Sequence, residues 1–166
     1  ENTHIYGEIL GIGSSFDPAQ VYRYNPKAEG MKKAMSLALE DAELSPNDID
    51  CIFANANSTQ EADYTETLAI KEVFGKQAYK IPVTAIKSIL GETLCASGGF
   101  AIIAALGALE KEIIPATINY AEKDKRCDLD YVPNKPIPKK LSAVMINAFD
   151  SKGANTSLII GKPQED

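Results

Sequence analysis

The sequence predicts an α/β fold built on a mixed sheet and forming one half of a larger layered core. Three observations carry that prediction. Strand-like and helix-like segments alternate from residue 5 to residue 111, the order that lays helices over a partly parallel sheet. Two final apolar runs, residues 141–149 and 156–161, have the spacing of a hairpin, which makes the sheet mixed. Residues 93–109 carry no charge, so a helix there is apolar on every side and must be covered on every side. One small sheet covers only one face. The other face needs a second sheet, and the 166 residues do not hold enough strands to build it.

Each element follows from its own pattern. Residues 5–15 read as a strand rich in Ile and Leu and punctuated by Gly11 and Gly13. A nucleotide-binding turn is the competing reading, but the third glycine of that pattern is missing and Phe16-Asp17-Pro18 opens no helix. Residues 27–44 place Ala28, Met31, Ala34, Met35, Ala38, Leu39 and Ala42 on one helical face, and Ser45-Pro46-Asn47-Asp48 breaks the run. A short buried strand is expected at 49–56, a helix at 62–74 ending on Gly75, a strand at 81–85 and the uncharged helix at 92–111. An extended stretch, 114–119, then leads into a charged loop through Asp130. No internal repeat or low-complexity tract interrupts the pattern. A membrane span is the alternative reading of 93–109. That run sits at the short end of the ~17–25 residues needed, contains Ser97, Gly98, Gly99 and Gly107, and lies inside an α/β pattern, so a core helix is expected.

Composition narrows the function classes. A net charge of -6, with no basic run longer than Lys139-Lys140, argues against nucleic acid or an anionic membrane as partner. Cys51, Cys95 and Cys127 have no metal-like spacing and are expected to be reduced, buried thiols of a cytoplasmic protein. Residues 1–20 show no basic start followed by an apolar run, in line with that location. Asn57-Ser58-Thr59 and Asn155-Thr156-Ser157 match the glycosylation pattern and are read as chance. No metal or cofactor motif is present, and none is expected to be needed.

The chemistry-bearing stretch is Ala85-Ile86-Lys87-Ser88-Ile89-Leu90-Gly91-Glu92-Thr93-Leu94-Cys95-Ala96-Ser97-Gly98-Gly99. It resembles the ketosynthase segment S-x-K-S-x-x-G-H-x-x-x-A-x-G-G: Lys87, Ser88, Gly91, Ala96, Gly98 and Gly99 fit, and Glu92 stands at the histidine. Asn55 to Ile70 aligns with H-G-T-S-T-x-x-x-D-x-x-E-x-x-A-I, where Ser58, Thr59, Asp63, Glu66, Ala69 and Ile70 match and Asn55 replaces the histidine. Ile114-Pro115-Ala116-Thr117-Ile118-Asn119 and Cys127-Asp128-Leu129-Asp130-Tyr131-Val132-Pro133-Asn134 resemble the segment after the second buried helix of type II ketosynthases. Asn147 to Asn155 aligns with the closing N-x-F-G-F-G-G-x-N loop. The resemblance covers residues 5–162 and corresponds to the C-terminal part of a ketosynthase. It implies the C-terminal half of a thiolase-like αβαβα layered fold with a mixed five-stranded sheet. Residues 1–20 would be the last strand and exit of the N-terminal half and residues 21–166 the C-terminal half. The half bearing the nucleophile would lie outside this chain.

Departures from the family pattern set the functional expectation. Ketosynthases pair a cysteine nucleophile with two histidines that assist decarboxylation and stabilise the enolate oxygen. Here those histidine positions are Asn55 and Glu92. An amide donates a hydrogen bond but exchanges no proton near neutral pH, and an ionised carboxylate repels both malonyl carboxylate and enolate. Lys87 is expected to pair with Glu92 across a vestigial site, with Glu92 opening the apolar helix as a dipole-favoured carboxylate. Cys95, inside that helix without a base, is expected to pack inertly. In the closing loop, Phe149 and Gly153 remain while Asp150, Ser151 and Lys152 replace the G-F-G portion, so gating of an acyl chain is not expected. A thiolase would carry a reactive cysteine in that loop, and none is there.

The resemblance therefore implies a chain length factor, or KSβ subunit, of a type II polyketide synthase, with no catalytic residues of its own. Such a subunit pairs with an active ketosynthase α subunit, meets acyl carrier protein through that partner, and shapes the tunnel in which a poly-β-keto chain grows from malonyl units. Two alternatives stay open: a structural partner of a polyene or fatty-acid type ketosynthase, and a divergent decarboxylase or acyltransferase on the same fold.

Overall fold

A computed structural model describes residues 3–18 and 23–163. The expected boundary between residues 20 and 21 lies outside the described residues. In chain order the elements are β1 (Glu8–Phe16), α1 (Glu29–Asp41), β2 (Cys51–Phe53), α2 (Gln60–Phe74), β3 (Val83–Thr84), α3 (Lys87–Leu90), α4 (Ser97–Lys111), β4 (Ile113–Ile114), β5 (Ile137–Pro138), β6 (Ala143–Phe149) and β7 (Ala154–Gly161). The main sheet has five strands in the order β1-β7-β6-β2-β3. β6, β2 and β3 run parallel, while β7 is antiparallel to both β6 and β1. This is the mixed five-stranded sheet that the family resemblance implies, with the closing hairpin expected from the apolar pattern. β1, expected as the exit from a preceding half, pairs with β7 from Glu8 to Phe16 and forms the sheet edge. β4 and β5 make a separate two-stranded ribbon that the pattern did not announce.

Side chains alternate between the two faces of each strand and separate two cores. On one side Ile52, Met145 and Ile159 pack with Met35, Ala38 and Ile70 of α1 and α2. On the other, Phe53, Val144, Ile146 and Ile160 pack with Ala105 and Leu109 of α4. The two glycines of β1 are explained here. A Cβ on Gly13 or Gly11 would run into the backbone carbonyls of Ala34 and Ala38, so α1 rests directly on the strand. Ile12, meanwhile, turns its backbone N–H to Asp41 Oδ2 at 2.8 Å, which blunts one donor of the open edge.

The apolar helix differs from expectation at its start. α3 stops at Gly91, whose φ of 80° ends the turn. Residues 91–93 form a loop, Leu94–Ala96 a 3₁₀ turn, and α4 begins only at Ser97. Glu92 therefore precedes the helix instead of opening it. Ala101, Ala105, Ala108 and Leu109 of α4 are buried against the sheet, but Phe100 and Ile103 are exposed, as are Leu94 on the 3₁₀ turn and Ile12 and Phe16 on β1. Leu94–Lys111 is long and apolar enough to cross a membrane by length and composition alone. Here it forms a layer over β6, the position of a core helix with one face still open.

Candidate functional site

The parallel strands β2 and β3 deliver the site. Asn55 follows β2 and Lys87 follows β3, both past the carboxyl ends of the strands, where open α/β sheets place their functional groups. Glu92 reaches the same point from the loop after α3. Lys87 Nζ donates to Glu92 Oε2 at 2.9 Å and to Asn55 Oδ1 at 3.1 Å. Because lysine only donates, Asn55 must present its carbonyl oxygen to it. Glu92 Oε1 accepts the backbone N–H of Leu94, the first residue of the 3₁₀ turn that leads into α4, at 3.0 Å. The structure thus unites the three expected residues, Asn55, Lys87 and Glu92, in one closed polar knot. The Lys87 side chain is only 13% exposed and that of Glu92 38%.

A second network holds Asn55 in place. Glu66, on the buried face of α2, accepts the backbone N–H groups of Asn55 and Ala56, each at 2.9 Å, and the side-chain amide of Asn147 at 3.1 Å. Asn147 in turn accepts the Ser157 hydroxyl at 2.8 Å. Burial pushes the Glu66 carboxyl pKa up, while its hydrogen bonds pull the other way. Glu66 and Asn147 matched the family pattern in sequence but were not singled out. The available signal was a glutamate flanked by Ala62, Ala69 and Ile70 on the face that α2 buries.

A cavity of about 480 Å³ opens beside Lys87, between α2 and the 117–131 segment. Ala54, Ile70, Ala85 and Tyr131 supply apolar wall, and Asp63 and Ser88 supply polar groups. Burial also raises the Asp63 carboxyl pKa. Tyr131 hydroxyl and Thr67 Oγ1 lie 2.5 Å apart in this wall.

The loop of Phe149, Asp150, Ser151, Lys152 and Gly153 is the tight turn of the β6–β7 hairpin. Asp150 N–H reaches Ala154 O at 2.9 Å, and Gly153 O accepts Asp17 N–H at 2.8 Å. Gly153 has φ 99°, and a Cβ there would strike Asp17, so glycine is required. Phe149 is built into the core under α1 and α2. The turn is therefore pinned by its own backbone bonds, and its phenylalanine belongs to the packing.

The cysteines divide. Cys51 is buried, and burial drives its thiol pKa well up. Cys127 is half-buried and also shifted up. Cys95 is exposed on the 3₁₀ turn, contrary to the expected burial, because it precedes the face of α4 that meets the sheet. Of the two glycosylation-like asparagines, Asn155 is buried and donates to Gly153 O at 2.9 Å, which leaves no room for a glycan. No cluster of metal-ligating side chains occurs among the described residues.

One family matches most of the chain. Residues 6–121 correspond to the beta-ketoacyl synthase, C-terminal domain, and the chain belongs to the beta-ketoacyl synthase family. It is 39% identical over 161 residues to 3-oxoacyl-[acyl-carrier-protein] synthase 2 of Coxiella burnetii, covering 97% of this chain and 39% of that protein. Among solved structures it superposes on a type II polyketide synthase acyl-carrier protein in complex with its ketosynthase bound to the hexaketide (AntDE:AntF), with TM-score 0.94 and 30% identity, covering 97% of this chain and 40% of the other. The ishigamide ketosynthase/chain length factor gives TM-score 0.92 and 35% identity, with coverages of 97% and 39%. The chain thus spans about two fifths of the length of these relatives.

Proposed function

We propose that this chain is part of a catalytically silent ketosynthase-like subunit, the chain length factor of a type II polyketide synthase. The carrying observation is the knot at Lys87: at both positions where the family motif has histidine, this chain has a group hydrogen-bonded to the same ammonium. Condensation needs a donor for the enolate oxygen and a group able to move a proton near neutral pH. Asn55 offers its oxygen to Lys87, and Glu92 divides its two oxygens between Lys87 and the Leu94 N–H. The arrangement is suited to holding a fold together and unsuited to stabilising new negative charge.

In this reading the chain acts through shape. A complementary N-terminal half of its own fold covers the apolar face left open by Phe100, Ile103, Ile12 and Phe16. The completed subunit pairs with an active ketosynthase α subunit and lines the tunnel for poly-β-keto elongation, meeting acyl carrier protein through that partner. It needs no metal or cofactor, contacts neither nucleic acid nor membrane, and works in the cytoplasm. The similarity to the ishigamide ketosynthase/chain length factor supports this reading. The similarity to a 3-oxoacyl synthase supports a second one, a condensing or decarboxylating enzyme on the same fold. Reconstitution separates them: the full-length protein, a candidate ketosynthase partner and malonyl-loaded carrier protein are assayed together and with each protein omitted. The expected result is polyketide of defined length only when both are present, and products of a polyene or fatty-acid type would instead make it the structural partner of such a ketosynthase. Product from the full-length protein without the ketosynthase would overturn the silent reading.

A further inference from the structure

We propose that Lys87 is the cation of a latent carboxylate site and that Glu92 is the tethered carboxylate occupying it. The proposal deepens the silent-subunit reading by naming what closes the site. Its geometry stands apart from that reading. Lys87 is a mostly buried ammonium with two hydrogen-bond partners: Asn55, which is neutral, and Glu92, which brings the compensating charge. Glu92 comes from a loop, not from a helix, and its carboxylate is the more exposed member of the pair. It thus approaches Lys87 from the solvent side, as a bound ligand would.

Neither of two further carboxylates lining the cavity, Glu66 and Asp63, is hydrogen-bonded to Lys87. Glu66 spends its oxygens on Asn55 N–H, Ala56 N–H and Asn147. Asp63 lines the cavity in the first turn of α2; burial raises its carboxyl pKa while backbone hydrogen bonds and the charge of Lys87 pull it down, and its Oδ1 has no hydrogen-bond partner among the described residues. Loss of the Glu92 carboxylate therefore strips a confined cation of its hydrogen-bonded counter-charge, which is costly. A small free carboxylate restores the same charge count, and the cavity of about 480 Å³ beside Lys87 has room for one. In the native chain the tether gives Glu92 a high effective concentration, and free carboxylate is outcompeted.

Acetate is the probe. Sodium acetate is titrated into the full-length protein in its natural assembly, with ionic strength held constant by sodium chloride, and binding is read by calorimetry and ligand-observed NMR. Glu92→Ala should bind acetate at least about tenfold more tightly than the native protein, a gain of ~1.4 kcal/mol. Adding Lys87→Met to Glu92→Ala should return binding to the native level. Glu92→Gln, which keeps the side-chain volume, should show a smaller gain in the same direction, and it carries the test if Glu92→Ala does not assemble. Equal acetate affinity in the native and Glu92-substituted proteins, or a gain that survives Lys87→Met, would overturn the proposal. Condensing activity measured on the same samples keeps the two readings apart, since a condensing native protein contradicts silence without touching the acetate result.

Discussion

Glu66→Ala should be the most damaging single change near the site, lowering the stability of the full-length protein by about 3–5 kcal/mol in urea or thermal denaturation. The figure follows from what the carboxylate does. It satisfies two backbone N–H groups that start the loop after β2 and the amide of Asn147 on β6, all at 3.1 Å or less. Each buried donor left unpaired costs about 1–3 kcal/mol, with partial recovery if water enters. Glu66→Gln should recover part of the loss, because one oxygen remains while the new NH₂ group faces donors. A loss below about 1 kcal/mol for Glu66→Ala would show that this network does not hold the Asn55 loop.

Lys87→Met should come second, at about 1–3 kcal/mol, and should exceed the effect of Glu92→Gln, for which about 0.5–2 kcal/mol is expected. The asymmetry is geometric. Removing the ammonium strips the buried Asn55 oxygen of its donor and Glu92 of its counter-ion at once. Glu92→Gln leaves an amide oxygen that still accepts from Lys87, and the partial exposure of Glu92 lets water soften the loss. The double variant should be milder than the sum of the singles by about 0.5–2 kcal/mol, the signature of a coupled pair. Denaturation midpoints of the three variants decide this, and additive effects would dissolve the pair as a unit.

The sequence was most readable where one periodic pattern ran long. The face of α1, the closing hairpin and the mixed sheet all follow from apolar spacing, and the Lys87–Glu92 pair follows from their five-residue separation in the motif. The start of α4 did not, because an uncharged run has no polar stripe to mark its first turn, and the positive φ of Gly91 and Leu94 decides it instead. The strands β2 and β3 came out shorter than their apolar runs, since ladder pairing spans only Cys51–Phe53 and Val83–Thr84. β4 and β5 are two residues each, too short for any alternation to register. At the site, the identities at Asn55 and Glu92 were legible from motif spacing. The role of Glu66 was not, because a buried carboxylate has meaning only once the backbone donors of another element fold against it.

On the proposed reading, these substitutions and their knot leave no condensing site. Decarboxylation of malonyl-carrier protein by the full-length protein, purified without any ketosynthase, tests it most directly, with the Asn55→His/Glu92→His variant alongside. Both proteins should show no turnover above the carrier alone in either decarboxylation or condensation, because restoring imidazoles leaves Asp150, Ser151 and Lys152 in the closing loop unchanged. Turnover near that of an ordinary ketosynthase by the native protein would contradict the silent reading outright, and the same turnover appearing only in the double-histidine variant would show that two histidines were all the site lacked.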